Sequence, residues 1–281
     1  MIIWLASYPK SGNTWLRSLL ATYFFTEDGI FNFDLLKNID QFPSVNYFKK
    51  YDDEFNTPES TSKYWIKEQV DINKDKKLKF LKTHSAMCKI NNNSFTNSEL
   101  TSGAIHIVRD PRNIVSSLAH HYQFELKQAL DFMKNDKKAL IEKKNERFLG
   151  FVPILSWALH EKSWSECKKF PMLTVKYEEL DKKPYETFKR VFEFIKKISN
   201  IKDNIDEDKL KKTIDSCNFK NLQNLEKKKG FEEAMTLKGS NQKIKFFNLG
   251  KDNDYKKLLN EDFVNEISFL YKEQIKKYSY E

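Results

Sequence analysis

Ile2-Ile3-Trp4-Leu5-Ala6 runs straight into Ser7-Tyr8-Pro9-Lys10-Ser11-Gly12-Asn13-Thr14-Trp15, and Leu16, Leu19, Leu20, Tyr23 and Phe24 then recur at helical spacing. The apolar run has the length of a buried strand, and the later spacing marks one face of a helix. The polar stretch between them is therefore a strand-to-helix turn, a place where backbone N–H groups converge on a bound anion. Gly12 lets the backbone come close. Lys10 adds a point charge, while Ser11, Asn13 and Thr14 add hydrogen-bonding groups at the helix start. The order of Gly and Lys differs from GxxxxGK[ST], so this is not the nucleotide-triphosphatase loop.

Three more strand-length apolar runs follow: Leu78 to Leu81, Ala104 to Val108 and Met172 to Val175. Helical periodicity fills the intervals, with a long stretch from Pro111 to Lys168, a helix carrying Phe188, Val191, Phe192 and Ile195 after Pro184, and a final one carrying Phe263, Ile267, Leu270 and Tyr271. Strands that alternate with helices predict a central parallel sheet with helices on both faces, an α/β sandwich of three layers. No linker or internal repeat divides the chain, so a single domain over residues 1–281 is expected. Residues 26–75 and 226–255 read as excursions that cover a site.

In an open parallel sheet the strand C-termini form the ligand crevice. The second strand ends in Leu81-Lys82-Thr83-His84, and period two puts Lys82 and His84 on one side. A histidine there suits a general base. The third strand ends in Val108-Arg109-Asp110-Pro111-Arg112, where Asp110 can cap and Pro111 can open the next helix. Arg109 is then either a phosphate ligand or the partner of Asp110, and Ser117 lies two helical turns along. The fourth strand brings Tyr177 and Glu178 to the same edge.

Composition limits what can bind there. Of 281 residues, 40% are hydrophobic, enough for a substantial core, and only seven are Gly and seven Pro, which excludes linker-like sequence. Lys+Arg exceed Asp+Glu by 49 to 40, a net charge of +9 that favours an anionic partner. The lysine runs lack interleaved Arg and aromatic residues, so nucleic acid is not expected. The apolar start is too short for a signal peptide or a membrane anchor, and Cys88, Cys167 and Cys217 are unpaired in spacing; a reducing, cytoplasmic setting follows. No cluster of carboxylates, His or Cys suggests a metal.

In order along the chain, SYPKSGNTW, LKTH, IVRDPRNIVSSLAHHY and TVKYEEL resemble the motifs of the sulfotransferases that use 3′-phosphoadenosine 5′-phosphosulfate (PAPS), and the resemblance spans nearly the whole chain. It implies a P-loop-type fold with no metal. It implies that Lys10, Ser11, Gly12, Asn13, Thr14 and Trp15 hold the phosphosulfate end, that Arg109 and Ser117 hold the 3′-phosphate, and that Tyr177 joins the nucleotide site. Phe219, in Ser216-Cys217-Asn218-Phe219, matches the aromatic that packs on the adenine opposite Trp15. His84 would be the base, with Lys82 and Lys10 as its catalytic partners. The family's C-terminal Arg-Lys-Gly reads Asn248-Leu249-Gly250 here, so Gly250 remains and two cations do not; either Lys243, Lys245 or Lys251 replaces them or the donor binds more weakly. The family's dimer motif is not preserved at Asn260-Glu261, which leaves the oligomeric state open. The acceptor is not legible beyond a hydroxyl or amine on a small molecule, lipid or glycan, with walls expected from residues 26–75, 85–100 and 120–150. A non-catalytic binder of the same nucleotide and an ATP-dependent kinase of the same fold are the alternatives.

Overall fold

The structure is a computed structural model that describes residues 1–51, 57–144 and 147–280, and only the backbone of 142–144 and 147–150. Residues 52–56, inside the first expected excursion, lie outside the described residues. Nine strands are described: β1 (Ile2–Ser7), β2 (Asp40–Gln41), β3 (Lys79–Thr83), β4 (Lys89–Ile90), β5 (Asn93–Ser94), β6 (Thr101–Val108), β7 (Ala139–Lys144), β8 (Arg147–Pro153) and β9 (Met172–Lys176). Five of them form one parallel sheet in the order β2-β3-β1-β6-β9. This is a P-loop-type α/β fold. Alternation along β1 sends Ile3 and Leu5 to one face, where they join Leu16, Leu20, Phe188 and Val191, and Ile2, Trp4 and Ala6 to the other, where they join Trp65, Phe95 and Trp164.

Helix α1 (Asn13–Phe25) follows β1 and buries Leu16, Leu19 and Leu20 on the sheet. Helix α2 (Trp65–Ile72) anchors the 26–75 excursion through Trp65 and Gln69, whose amide donates to Phe95 O at 2.6 Å. Helix α3 (Pro111–Tyr122) starts as its sequence predicts, with Asp110 accepting from the Arg112 N–H and Pro111 in the first turn. Helix α4 (Leu126–Lys134) leads into the β7–β8 hairpin. The helix expected from Pro111 to Lys168 is therefore interrupted. Its last part resumes only as α5 (Trp157–Ser165).

Beyond β9 come α6 (Tyr177–Lys182), α7 (Pro184–Ser199), α8 (Glu207–Ser216), α9 (Phe219–Lys229) and, after the second excursion, α10 (Glu261–Leu270) and α11 (Lys272–Tyr278). The expected final helix is thus two, and Leu270 is exposed at the break while Ile267 and Tyr271 are buried. The chain end is tied to the centre by Arg112. Its guanidinium pairs with Asp110 at 2.8 Å, donates to Tyr280 O and lies 4.2 Å over the Tyr255 ring. All three cysteines are free, and among the described residues no helix is long and apolar enough to cross a membrane.

Candidate active site

The C-terminal ends of β1, β3 and β6 open into a cavity of about 380 Å³, which falls within the ordinary size range of small-molecule sites. At its floor Lys10 has φ 66 and Gly12 φ 101, so two left-handed residues within three turn the amides of the loop toward one point. Gly12 is the N-cap of α1 and has no side chain to cap the first N–H groups, which leaves them for an anion. A Cβ at Gly12 would come within 2.6 Å of Tyr177 Cδ2. Asn13 braces the loop from behind by donating to Leu5 O at 2.8 Å and to Ser7 Oγ at 3.1 Å. Its amide nitrogen is therefore committed to β1.

Arg109 resolves the alternative left open by its neighbour. Asp110 pairs with Arg112, while Arg109 donates through Nη1 to Lys10 O at 3.0 Å and to Ser117 Oγ at 3.2 Å, and its guanidinium lies 4.1 Å over the Tyr177 ring. Glu178 turns away from the cavity and accepts from the Asp110 N–H at 3.0 Å, so it supports the turn and is not part of the site.

Lys82 and His84 do share the cavity wall. His84 Nδ1 lies 2.7 Å from Ser7 O, and a carbonyl can only accept, so Nδ1 carries the proton and Nε2 keeps its lone pair. Burial, reinforced by the Lys82 charge, pushes the imidazole down to about 3, so it is neutral at physiological pH. Burial and the Arg109 charge bring Lys10 down to about 7. Its ammonium stands 3.9 Å over the Phe246 ring.

Of the residues expected to hold the nucleotide or to act in catalysis, Lys10, Gly12, Asn13, Thr14, Trp15, Lys82, His84, Arg109, Ser117, Tyr177, Phe219 and Gly250 line this cavity, and Ser11 does not. Ser11 is buried, and its hydroxyl has no partner. Trp15 is held by its indole N–H on Cys217 O at 2.9 Å. Gly250, at φ +56, lies so close to the Phe219 ring that a Cβ would stand 2.5 Å from it. Lys243, Lys245 and Lys251 are not in the lining, and Lys243 Nζ instead donates to Ala234 O at 2.6 Å. None of the three candidate replacement lysines is in this lining, which holds Asn248, Leu249 and Asn253 there. Asn253 donates to Ser117 Oγ at 3.2 Å and accepts from Ser116 Oγ at 2.7 Å, joining the C-terminal segment to α3. No residue of 85–100 is in the lining, whereas Gln41, His121, Tyr122, Leu140 and Phe246 are.

Glu233 was not foreseen. It comes from the Lys-rich 226–255 stretch, where nothing local distinguishes it from a surface carboxylate. It pairs with Arg17 and with Lys82 at 3.4 Å and accepts from Thr14 Oγ1 at 3.2 Å. Burial would raise this carboxyl, but Lys82 and Arg17 outweigh it and hold it well below the usual carboxylate range.

Residues 2–279 match the sulfotransferase domain family. The chain belongs to this family. Cytosolic sulfotransferase 17 of Arabidopsis thaliana is 24% identical to this sulfotransferase-family chain over 274 residues, 97% of it and 73% of the plant protein. Retinol dehydratase solved in complex with androsterone and inactive cofactor PAP superposes with a TM-score of 0.60 at 17% identity, covering 98% of this chain and 80% of that one. Mouse sulfotransferase SULT7A1 complexed with PAP gives 0.59 at 20% identity, covering 98% and 84%. These structures share the fold.

Proposed function

We propose that this sulfotransferase-family chain, acting as one unit over residues 1–281 in the cytoplasm, moves a sulfuryl group from PAPS to a hydroxyl or amine of a small-molecule, lipid or glycan acceptor. The observation that carries this is the pairing in one cavity of a neutral His84, with Nε2 free, and an anion-binding loop built from Lys10, Gly12 and the first turn of α1. The PAP complexes of the structural neighbours support the choice of donor.

In this reaction the acceptor oxygen or nitrogen forms a bond to sulfur as the bond from sulfur to the bridging oxygen of the 5′-phosphate breaks. The electron pair stays on that oxygen, and PAP leaves. His84 Nε2 takes the acceptor proton. Lys82 and Lys10 supply positive charge where the sulfuryl group transfers and where the leaving phosphate gains charge, and charge placed in advance in a water-poor cavity counts for most. Arg109 and Ser117 would take the 3′-phosphate, with Trp15 and Phe219 on the adenine. Gln41, His121, Tyr122, Leu140 and Phe246 would face the acceptor.

Incubation with labelled PAPS and pooled phenols, sterols and glycosides, followed by mass identification of the sulfated product, tests this directly. His84→Ala should lower turnover by roughly 10²- to 10⁴-fold, as removal of a general base does, with PAP affinity nearly unchanged. Wild-type turnover by that variant would reject His84 as the base. One observation favours the second reading, a non-catalytic PAP binder: Asn248 and Leu249 bring no cation to the wall. Failure of the wild-type protein to sulfate any acceptor while binding PAP would establish it.

A further inference from the structure

Glu233 contributes the one carboxylate among the described residues that line the cavity, and its three partners come from two separate elements, α1 and β3. Thr14 is in the first turn of α1, Arg17 one turn further along the same helix, and Lys82 is at the end of β3. Two dispositions are open to such a carboxylate. It can be displaced when an anionic donor arrives, or it can stay and share its partners with the donor. Arg17 decides between them. The arginine is buried, it is outside the cavity lining, and its Nη2 is satisfied by Glu233 while its Nε has no partner. A donor bound in the cavity does not reach it, so displacing Glu233 would leave a buried guanidinium unpaired, a costly outcome. Glu233 therefore stays.

We propose that Glu233, anchored on Arg17, is a positioning residue: it draws the 226–255 segment onto the site and holds the Lys82 ammonium and the Thr14 hydroxyl in place for the transferring group. This rests on the function proposed above, because it assigns a role toward the sulfuryl end of PAPS. The need for a carboxylate follows from what surrounds Lys82. Arg17 from α1, Lys10 from the loop and His121 from α3 all face its neighbourhood, His84 follows two residues along the chain, and Gln41 is its register partner on β2. None of these is an anion. Burial lowers the Lys82 ammonium from its ordinary value and Arg17 adds to the fall, while Glu233 is the opposing charge that limits it. Once Lys82 is charged before the donor arrives, no proton has to be taken up there on binding.

Calorimetry of PAPS binding at pH 8, run in buffers of different ionisation enthalpy, counts the protons taken up. Wild-type protein should take up a proton at Lys10 alone. Glu233→Gln, equal in size and without charge, should take up about one more, and its affinity should weaken about tenfold or more between pH 7 and pH 8.5 relative to wild type. Combining it with Lys82→Met should return the count to the wild-type value. Lys82→Met alone supplies the check that does not require the Glu233 variant to fold: it should lower affinity and leave the proton count unchanged. An unchanged count and pH slope in Glu233→Gln, or a reduced count in Lys82→Met, would overturn the role of Glu233 while leaving PAPS binding intact. Absence of PAPS binding by the wild-type protein would instead overturn the proposed function, and this role with it.

Discussion

Lys10 carries two duties through two ends of one residue. Its carbonyl accepts from Arg109, which holds the left-handed loop, and its ammonium sits in the cavity with a pKa near 7. An anion bound beside it favours the charged form, so binding raises that value and takes up a proton wherever the free lysine is neutral. Affinity for PAP should therefore be level below pH 7 and fall as pH rises above it, approaching tenfold per unit, and Lys10→Met should flatten the profile. Calorimetric titration across pH 6 to 9 checks this; a level wild-type profile would contradict it. Arg109 is tested by comparing PAP with adenosine 5′-monophosphate, which lacks the 3′-phosphate. Loss of a charge-assisted bond costs about 1.5–3 kcal/mol, so Arg109→Ala should bind PAP roughly 10- to 100-fold more weakly and the monophosphate nearly as before. Equal losses would confine Arg109 to shaping the loop.

At the scale of elements, the strand–loop–helix unit of β1 and α1 was legible because its signals are local: an unbroken apolar run of strand length in Ile2 to Ala6 and period 3.6 in Leu16 to Phe24. Gly12 belongs to the same unit, and its role is fixed by the Tyr177 ring as much as by its own φ. Gly12→Ala forces either the ring or the loop to move and strains a left-handed position. We expect at least a tenfold loss in PAP affinity from this variant, measured by the same titration, with a modest fall in Tm. A variant that binds as wild type would show that the loop tolerates a Cβ there. β2 and the β7–β8 hairpin were not legible. β2 is two residues long and exists by pairing with Leu81 and Lys82. The hairpin joins the short apolar runs Ala139 to Ile141 and Phe148 to Val152 across a charged centre, and neither period dominates there.

Across the whole molecule, four of the five histidines sit where they cannot charge cheaply. Burial pushes His84, His106 and His121 down to about 3 and His160 well below the ordinary value. In the unfolded chain each takes a proton near pH 6.5, and in the folded chain each stays neutral. The unfolded state therefore binds more protons as pH falls below 6.5, and stability falls with it, by about 2 kcal/mol per fully buried histidine at pH 5. Urea denaturation at pH 7.5, 6 and 5 measures the slope, and His106→Asn should reduce it. Equal stability at the three values would mean that these side chains reach water.

The sequence by itself determined the layers of the fold and the floor of the site. Strand and helix periods, the turn residues around Gly12 and the capping pair Asp110-Pro111 act over a few residues, and the strand ends that carry Lys82, His84 and Arg109 converge wherever parallel strands pair. Tertiary structure alone decided the rest. It matched Asp110 with Arg112 and freed Arg109 for Lys10 and Ser117, left Lys243, Lys245 and Lys251 off the wall, and set Asn253 beside Ser117. It also brought Glu233 across 216 residues of chain to Arg17. A charge buried by distant segments has no local signature, because its identity as an interior residue depends on which partners the packing supplies.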